Sequence, residues 1–193
     1  LVEDGSGLAA GDVDGDGLCD LYFCGLDSQN ALYRNLGNWR FQDITMSAGV
    51  ACAGQLSTGA TFADMNGDGL DDMVILHNSR VLQVDYQNPD GTFTMHDFGS
   101  MSNAAQWGWA IADIDNDGHK DVVSGGNYDG SHYMRIAAPG SGVLNQLAGP
   151  SIYQQAMSIG DIDNDGHLDV FACNDVGPNN LWFSNAAGDL APN

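Results

Sequence analysis

Four segments of the chain crowd carboxylates at one fixed spacing: "DVDGDGLCD" from Asp12, "DMNGDGLDD" from Asp64, "DIDNDGHKD" from Asp113 and "DIDNDGHLD" from Asp161. Each fits Asp-x-[Asp/Asn]-x-Asp-Gly-x-x-Asp. Carboxylates this close repel one another unless a cation sits among them. Alternate residues of a coiled segment can turn their oxygens inward, a Gly at position 6 permits the sharp bend, and the carbonyl at position 7 adds a ligand. Oxygen-only donors, several of them anionic, in a flexible loop favour Ca²⁺ over the smaller, more hydrated Mg²⁺. The candidate ligands are Asp12, Asp14, Asp16, Leu18 and Asp20 in loop 1, and Asp64, Asn66, Asp68, Leu70 and Asp72 in loop 2. Loop 3 offers Asp113, Asp115, Asp117, His119 and Asp121; loop 4 offers Asp161, Asp163, Asp165, His167 and Asp169. Leu18, Leu70, His119 and His167 would serve through their backbone carbonyls, and one Ca²⁺ per loop makes about four in all. A helix–loop–helix calcium site is excluded, because its Glu at position 12 is replaced by Phe23, Ile75, Ser124 and Ala172.

These loops recur every ~50 residues, the period of propellers, solenoids or arrays. Five residues before each first Asp stands a small residue, namely Gly7, Gly59, Gly108 or Ala156. A two-residue alternation then runs into the loop. Gly108, Ala110 and Ala112 share one side with Trp109 and Ile111 on the other, and Ala156, Ser158 and Gly160 oppose Met157 and Ile159. Period two predicts a strand, and a uniformly small face predicts that something packs very close to it. A short apolar run follows each ninth-position Asp, from Leu21, Met73, Val122 and Val170, and reads as a second, buried strand antiparallel to the first. Third strands are expected over Ala31–Asn35, Val81–Tyr86, His132–Ala137 and Asn180–Ser184, followed by turns at "NLGN", "NPDG", "PGSG" and "NAAG". Fourth strands follow in "WRFQDIT", "TFTMHDF" and, weakly, "GVLNQLA". Four strands per repeat define a propeller blade.

The expected fold is therefore all-β: a β-propeller of four-stranded antiparallel blades, one region over 1–193, with repeats near 1–52, 53–104, 105–150 and 151–193. The last blade is expected to lack its outer strand. Either "LVED" at the N-terminus completes it and closes a four-bladed ring, or the chain belongs to a larger ring. The start at Leu1 without a leader is read as that of a processed or excised segment.

The loops, the small-faced strand before them and the "DLYF", "DMVI" and "DVFA" strands after them resemble FG-GAP/VCBS-type repeats. Such repeats form integrin α-subunit propellers and occur in many bacterial secreted proteins. "NALYRNLGNWRFQDITMSAGV" is most similar to bacterial members related to cartilage acidic proteins. The resemblance covers essentially the whole chain, although no Gly-Ala-Pro is present and family rings usually have more blades. It implies a calcium-stabilised extracellular propeller used in adhesion or recognition, or attached to an enzyme.

Composition narrows the function further. Twenty-six acids against five Lys and Arg give a formal charge of -21, which argues against nucleic acid as a partner. No apolar run is long enough to span a membrane. No nucleophile, zinc-protease or phosphate-loop motif appears, so catalysis is not expected. His119 and His167 are expected to point their side chains to solvent. Cys24 ends a second strand and Cys52 lies in the first interblade connection, which places them on one face and favours a Cys24–Cys52 disulfide. Calcium and a disulfide both suit an extracellular or cell-surface location. The longer loops lie on the face opposite the acidic ones, where Trp107, Tyr128 and Tyr153 either stack on sugars or seal blade interfaces. A protein or glycan ligand on that face is the leading expectation. Self-association through the open last blade, as in a filament or surface layer, and a non-catalytic role beside a polysaccharide-active enzyme are the alternatives.

Overall fold

A computed structural model describes residues 7–104 and 106–193. The chain divides into two compact units, Leu1–Gly99 and Ser100–Asn193. In the first unit, β1 (Leu8–Gly11), β2 (Asp20–Phe23), β3 (Ala31–Asn35) and β4 (Phe41–Asp43) form one sheet in chain order. The second sheet of that unit is β5 (Ser57–Ala63), β6 (Asp72–His77), β7 (Val81–Gln87) and β8 (Phe93–Ser100). The second unit repeats the plan with β9 (Gln106–Ala112), β10 (Asp121–Gly126), β11 (Ser131–Ala138) and β12 (Ser141–Gln146). Its other sheet is β13 (Gln154–Gly160), β14 (Asp169–Asn174), β15 (Asn180–Ser184) and β16 (Leu190–Pro192). The registered strand pairs are antiparallel, and each acidic loop joins the first strand of a sheet to the second.

The small face of the first strands has a direct cause. A Cβ on Gly7 would stand 2.6 Å from the Gly59 Cα, so β1 and β5 approach too closely for any side chain there. In the second unit a Cβ on Gly108 would stand 2.9 Å from the Ala156 Cα, where β9 meets β13. The second strands carry the core. Every residue of β6 and β10 is buried, and Tyr22, Leu32, Val50, Met73 and Ile75 fill the first unit's interior. Ile114, Val123, Tyr133, Val170 and Trp182 do so in the second.

Three expectations are corrected. First, the last blade does have an outer strand: β16 pairs with β15 through Trp182–Pro192, Phe183–Ala191 and Ser184–Leu190. Three residues are too few to show a period, and Pro192 reads as a breaker, yet proline is tolerated on an edge strand. The alternative donor "LVED" lies outside the described residues. Second, the strand expected through Thr45 stops at Asp43. Thr45–Ala48 forms one helical turn, α1, closed by Gly49 at φ 83°. Its Thr45 hydroxyl donates to Asp43 Oδ1 (2.6 Å) and accepts from the Leu32 N–H (2.8 Å). Third, there is no Cys24–Cys52 disulfide; all four cysteines are free thiols. Both pack into the same core, but the Cys52 sulfur already meets Tyr22 Oη at 3.6 Å and accepts from Gln83 Nε2 at 3.3 Å.

That sulfur belongs to a buried polar chain in the first unit. Asn30 Nδ2 donates to Tyr22 Oη (2.7 Å) and Ser57 Oγ (2.8 Å), Ser57 Oγ meets His77 Nδ1 (3.1 Å), and His77 Nε2 meets Gln83 Oε1 (2.9 Å). Gln83 Nε2 also donates to Asp85 Oδ1 at 2.7 Å. Asp85 is buried with this one side-chain donor, and desolvation pushes its carboxyl up to about 6. The folded state therefore holds that proton more tightly than the unfolded chain. Its contribution is most favourable below pH 4 and is lost as pH rises toward 6. Asp85→Asn keeps the acceptor oxygen and removes the buried charge. It is expected to stabilise the protein by about 1–3 kcal/mol at pH 7 and hardly at all at pH 4, read from urea unfolding at both pH values.

Candidate metal centre

The four loops close in the same way. Position 4 (Gly15, Gly67, Asn116, Asn164) and position 6 (Gly17, Gly69, Gly118, Gly166) all have positive φ, which only Gly and Asn adopt readily. Wound this way, the backbone N–H groups turn inward onto the carboxylates. In loop 4, Asp161 Oδ1 accepts from the Asp165 N–H (3.0 Å) and Oδ2 from the Gly166 N–H (3.0 Å). Asp12 and Asp113 make the same pair of bonds, and Asp64 accepts from the Asp68 and Gly69 N–H groups. The position-5 carboxylate caps the position-7 N–H, at 2.8 Å for Asp16 and Leu18. The repulsion legible in the sequence is thus partly met by the loop's own backbone dipoles.

The ninth-position Asp is the anchor, and in all four loops it is fully buried at the start of a second strand. Its Oδ2 accepts from the position-2 N–H: Val13, Met65, Ile114 or Ile162, at 2.8–3.0 Å. Its Oδ1 accepts from an N–H at or near the end of the third strand: Asn35, Gln87, Ile136 or Ser184, at 2.7–3.0 Å. One carboxylate therefore ties loop, second strand and third strand together. Burial raises the carboxyl of Asp20 and pushes those of Asp72 and Asp121 up to about 6, with the backbone donors opposing it.

Oxygens of positions 1, 3 and 9 converge. In Asp12/Asp14/Asp20, Asp113/Asp115/Asp121 and Asp161/Asp163/Asp169 they lie within 4.8 Å of one another. Loop 2 has Asn66 at position 3, whose Nδ2 donates to Asp68 Oδ2 at 3.0 Å. The donor set suits a hard divalent cation: three carboxylates, one of them buried and held by two N–H groups that leave lone pairs free. His119 and His167 are half-buried rather than turned to solvent, and each has an Nδ1 shielded without a partner.

At the opposite end of the second unit, the three aromatics picked out in the sequence meet. Trp107 and Tyr153 are edge-to-face at 4.6 Å, and Tyr128 lies 5.2 Å from Tyr153. Tyr153 holds the centre while Tyr128 (53% exposed) and Trp107 (38%) keep open surface. Tyr128 has φ 54°, a strained backbone for a bulky residue, held by its N–H donating to Gly126 O (2.9 Å) and Ile152 O (3.2 Å). Beside it the Asp129 carboxylate accepts from the Asn103 N–H at 2.6 Å. Trp39 is 93% exposed at the tip of the β3–β4 hairpin, and in the sequence its only signal is a Trp following a turn.

Four four-stranded antiparallel sheets, each opening on an acidic loop, define a β-propeller repeat protein. A family model described as FG-GAP-like repeat matches residues 12–75 and 64–124, more than half the chain, and the chain belongs to that family. Among solved structures it is similar to an Agrocybe aegerita lectin described as recognising non-reducing terminal N-acetylglucosamine, at 20% identity and TM-score 0.60. That match covers 95% of this chain and 50% of the lectin, so the chain spans about half the length of that structure. None of the curated proteins compared matches the chain. No helix among the described residues is long and apolar enough to cross a membrane.

Proposed function

We propose that the chain is a calcium-binding, non-catalytic recognition module that works outside the cell. The observation that carries this reading is the convergence of three carboxylates at equivalent positions of loops 1, 3 and 4. Bound calcium would supply a charge that offsets part of each loop's negative charge. The chain's own residues do the positioning, with the buried Asp20, Asp72, Asp121 and Asp169 fixing each loop to its sheet. Extracellular calcium reaches the millimolar range that such modules need, which supports the extracellular location. Calorimetric titration of EDTA-stripped protein with CaCl₂ is expected to show saturable binding of more than one ion. No binding up to about 10 mM would sink the reading.

The ligand we favour is a glycan, held at the Trp107–Tyr153–Tyr128 ledge. Exposed aromatic faces can stack on the C–H face of a pyranose while Asp129 accepts from its hydroxyls. The propeller likeness to a lectin supports the same choice. The completed fourth sheet removes the reason for self-association through that blade. On a glycan array in calcium, Trp107→Ala and Tyr128→Ala are each expected to weaken the strongest signals about tenfold or more without lowering the melting temperature. Unchanged binding in both variants would move the ligand site elsewhere.

A further inference from the structure

The residue 14 positions after each anchoring Asp differs between loops in a regular way: Arg34, Tyr86, Arg135 and Phe183. It stands on the third strand, immediately before the N–H that the anchor accepts from. In loop 1 the Arg34 guanidinium pairs through Nε with Asp14 Oδ2 and lies 3.8 Å from Asp16 Oδ2 through Nη2. In loop 3, Arg135 Nε lies 3.2 Å from Asp115 Oδ2. Its Nη2 donates to Ala187 O (2.8 Å) and lies 3.6 Å from Asp189 Oδ1, on the β15–β16 hairpin of the same unit. Asp14 and Asp115 are the position-3 carboxylates of the converging clusters. Loop 4 has four carboxylates, and neither Arg34 nor Arg135 pairs with them. Phe183 occupies the place of the arginine.

We propose that the calcium loops come in grades set by this third-strand residue, a reading that rests on the calcium assignment above. Loop 4 is the tight site, filled first. Loops 1 and 3 carry a resident guanidinium that neutralises part of the loop without metal. An incoming ion must displace it or share a carboxylate with it, so these sites are weaker. Loop 2 is weakened differently, by the neutral Asn66. The arrangement gives each unit one loop that stays partly compensated when calcium falls.

Calcium titration calorimetry on the whole chain, paired with melting in EDTA, tests this. Arg34→Gln and Arg135→Gln are each expected to tighten one weak site about three- to tenfold and to lower the melting temperature in EDTA. Phe183→Arg, which places a guanidinium beside loop 4, and Asp163→Asn should each remove the tightest binding class. Calcium affinities unchanged in both arginine variants overturn the grading while leaving the calcium assignment intact, even if EDTA melting drops. Absence of any calcium binding by the parent protein overturns both.

Discussion

Asp121→Ala is expected to destabilise the protein by about 3–5 kcal/mol, with calcium absent as well as present. The Asp121 side chain is fully buried, and it accepts from the Ile114 N–H (3.0 Å), the Ile136 N–H (2.9 Å) and Tyr133 Oη (2.9 Å). Alanine leaves those donors buried without partners, at about 1–3 kcal/mol each before relaxation. Loss of a metal ligand alone has a different signature. Asp113→Ala, on a more open carboxylate, should show most of its effect in calcium and little in EDTA. Urea unfolding of both variants in each condition separates the roles. Equal losses for the two in EDTA would mean that the ninth-position Asp is only a ligand.

Removing calcium is expected to lower stability by about 1–3 kcal/mol for each site emptied, from its mass-action linkage to the folded state. The fold should persist, because the anchor and the backbone N–H groups hold each loop without the ion. This effect should depend on pH. Desolvation pushes Asp72 and Asp121 up to about 6 in the metal-free protein, above the unfolded carboxyl. Without metal their contribution is fully present below pH 4 and is lost as pH rises through 6. Calcium binding requires both ionised and removes that loss, so the gap between melting temperatures in calcium and in EDTA should open between pH 4 and 6 and then level off. A gap constant across that range would exclude the buried anchors from the site.

Much of this was legible along the chain. Four in-phase copies of a nine-residue loop revealed the repeat, and period-two alternation revealed the strands that flank it. The third strands fell within about a residue of expectation, because turn residues punctuate both ends. The β16 strand was not legible, since three residues with a proline carry no period. The Cys24–Cys52 pairing failed because shared location was readable while the hydrogen bonds of the Cys52 sulfur were not. Position 4 of the loops held a signal that was there to read: Gly or Asn in every copy, the residues that tolerate the left-handed conformation found there.

Local physics explains the features that could be read along the chain. Loop chemistry, strand period and turn residues act over a few positions, so the acidic loops, the all-β class and the four-stranded repeat could be read without coordinates. Tertiary structure alone decided which partners those residues meet. It assigned the ninth Asp to two backbone donors seven and fifteen residues away, and it gathered Trp107, Tyr128 and Tyr153 onto one end of the second unit. It also set a guanidinium against Asp14 and Asp115 but an aromatic ring in its place on the following blade. Each of these depends on strands that are distant in sequence lying side by side. Only the packed sheets bring such groups within hydrogen-bonding or Coulomb range.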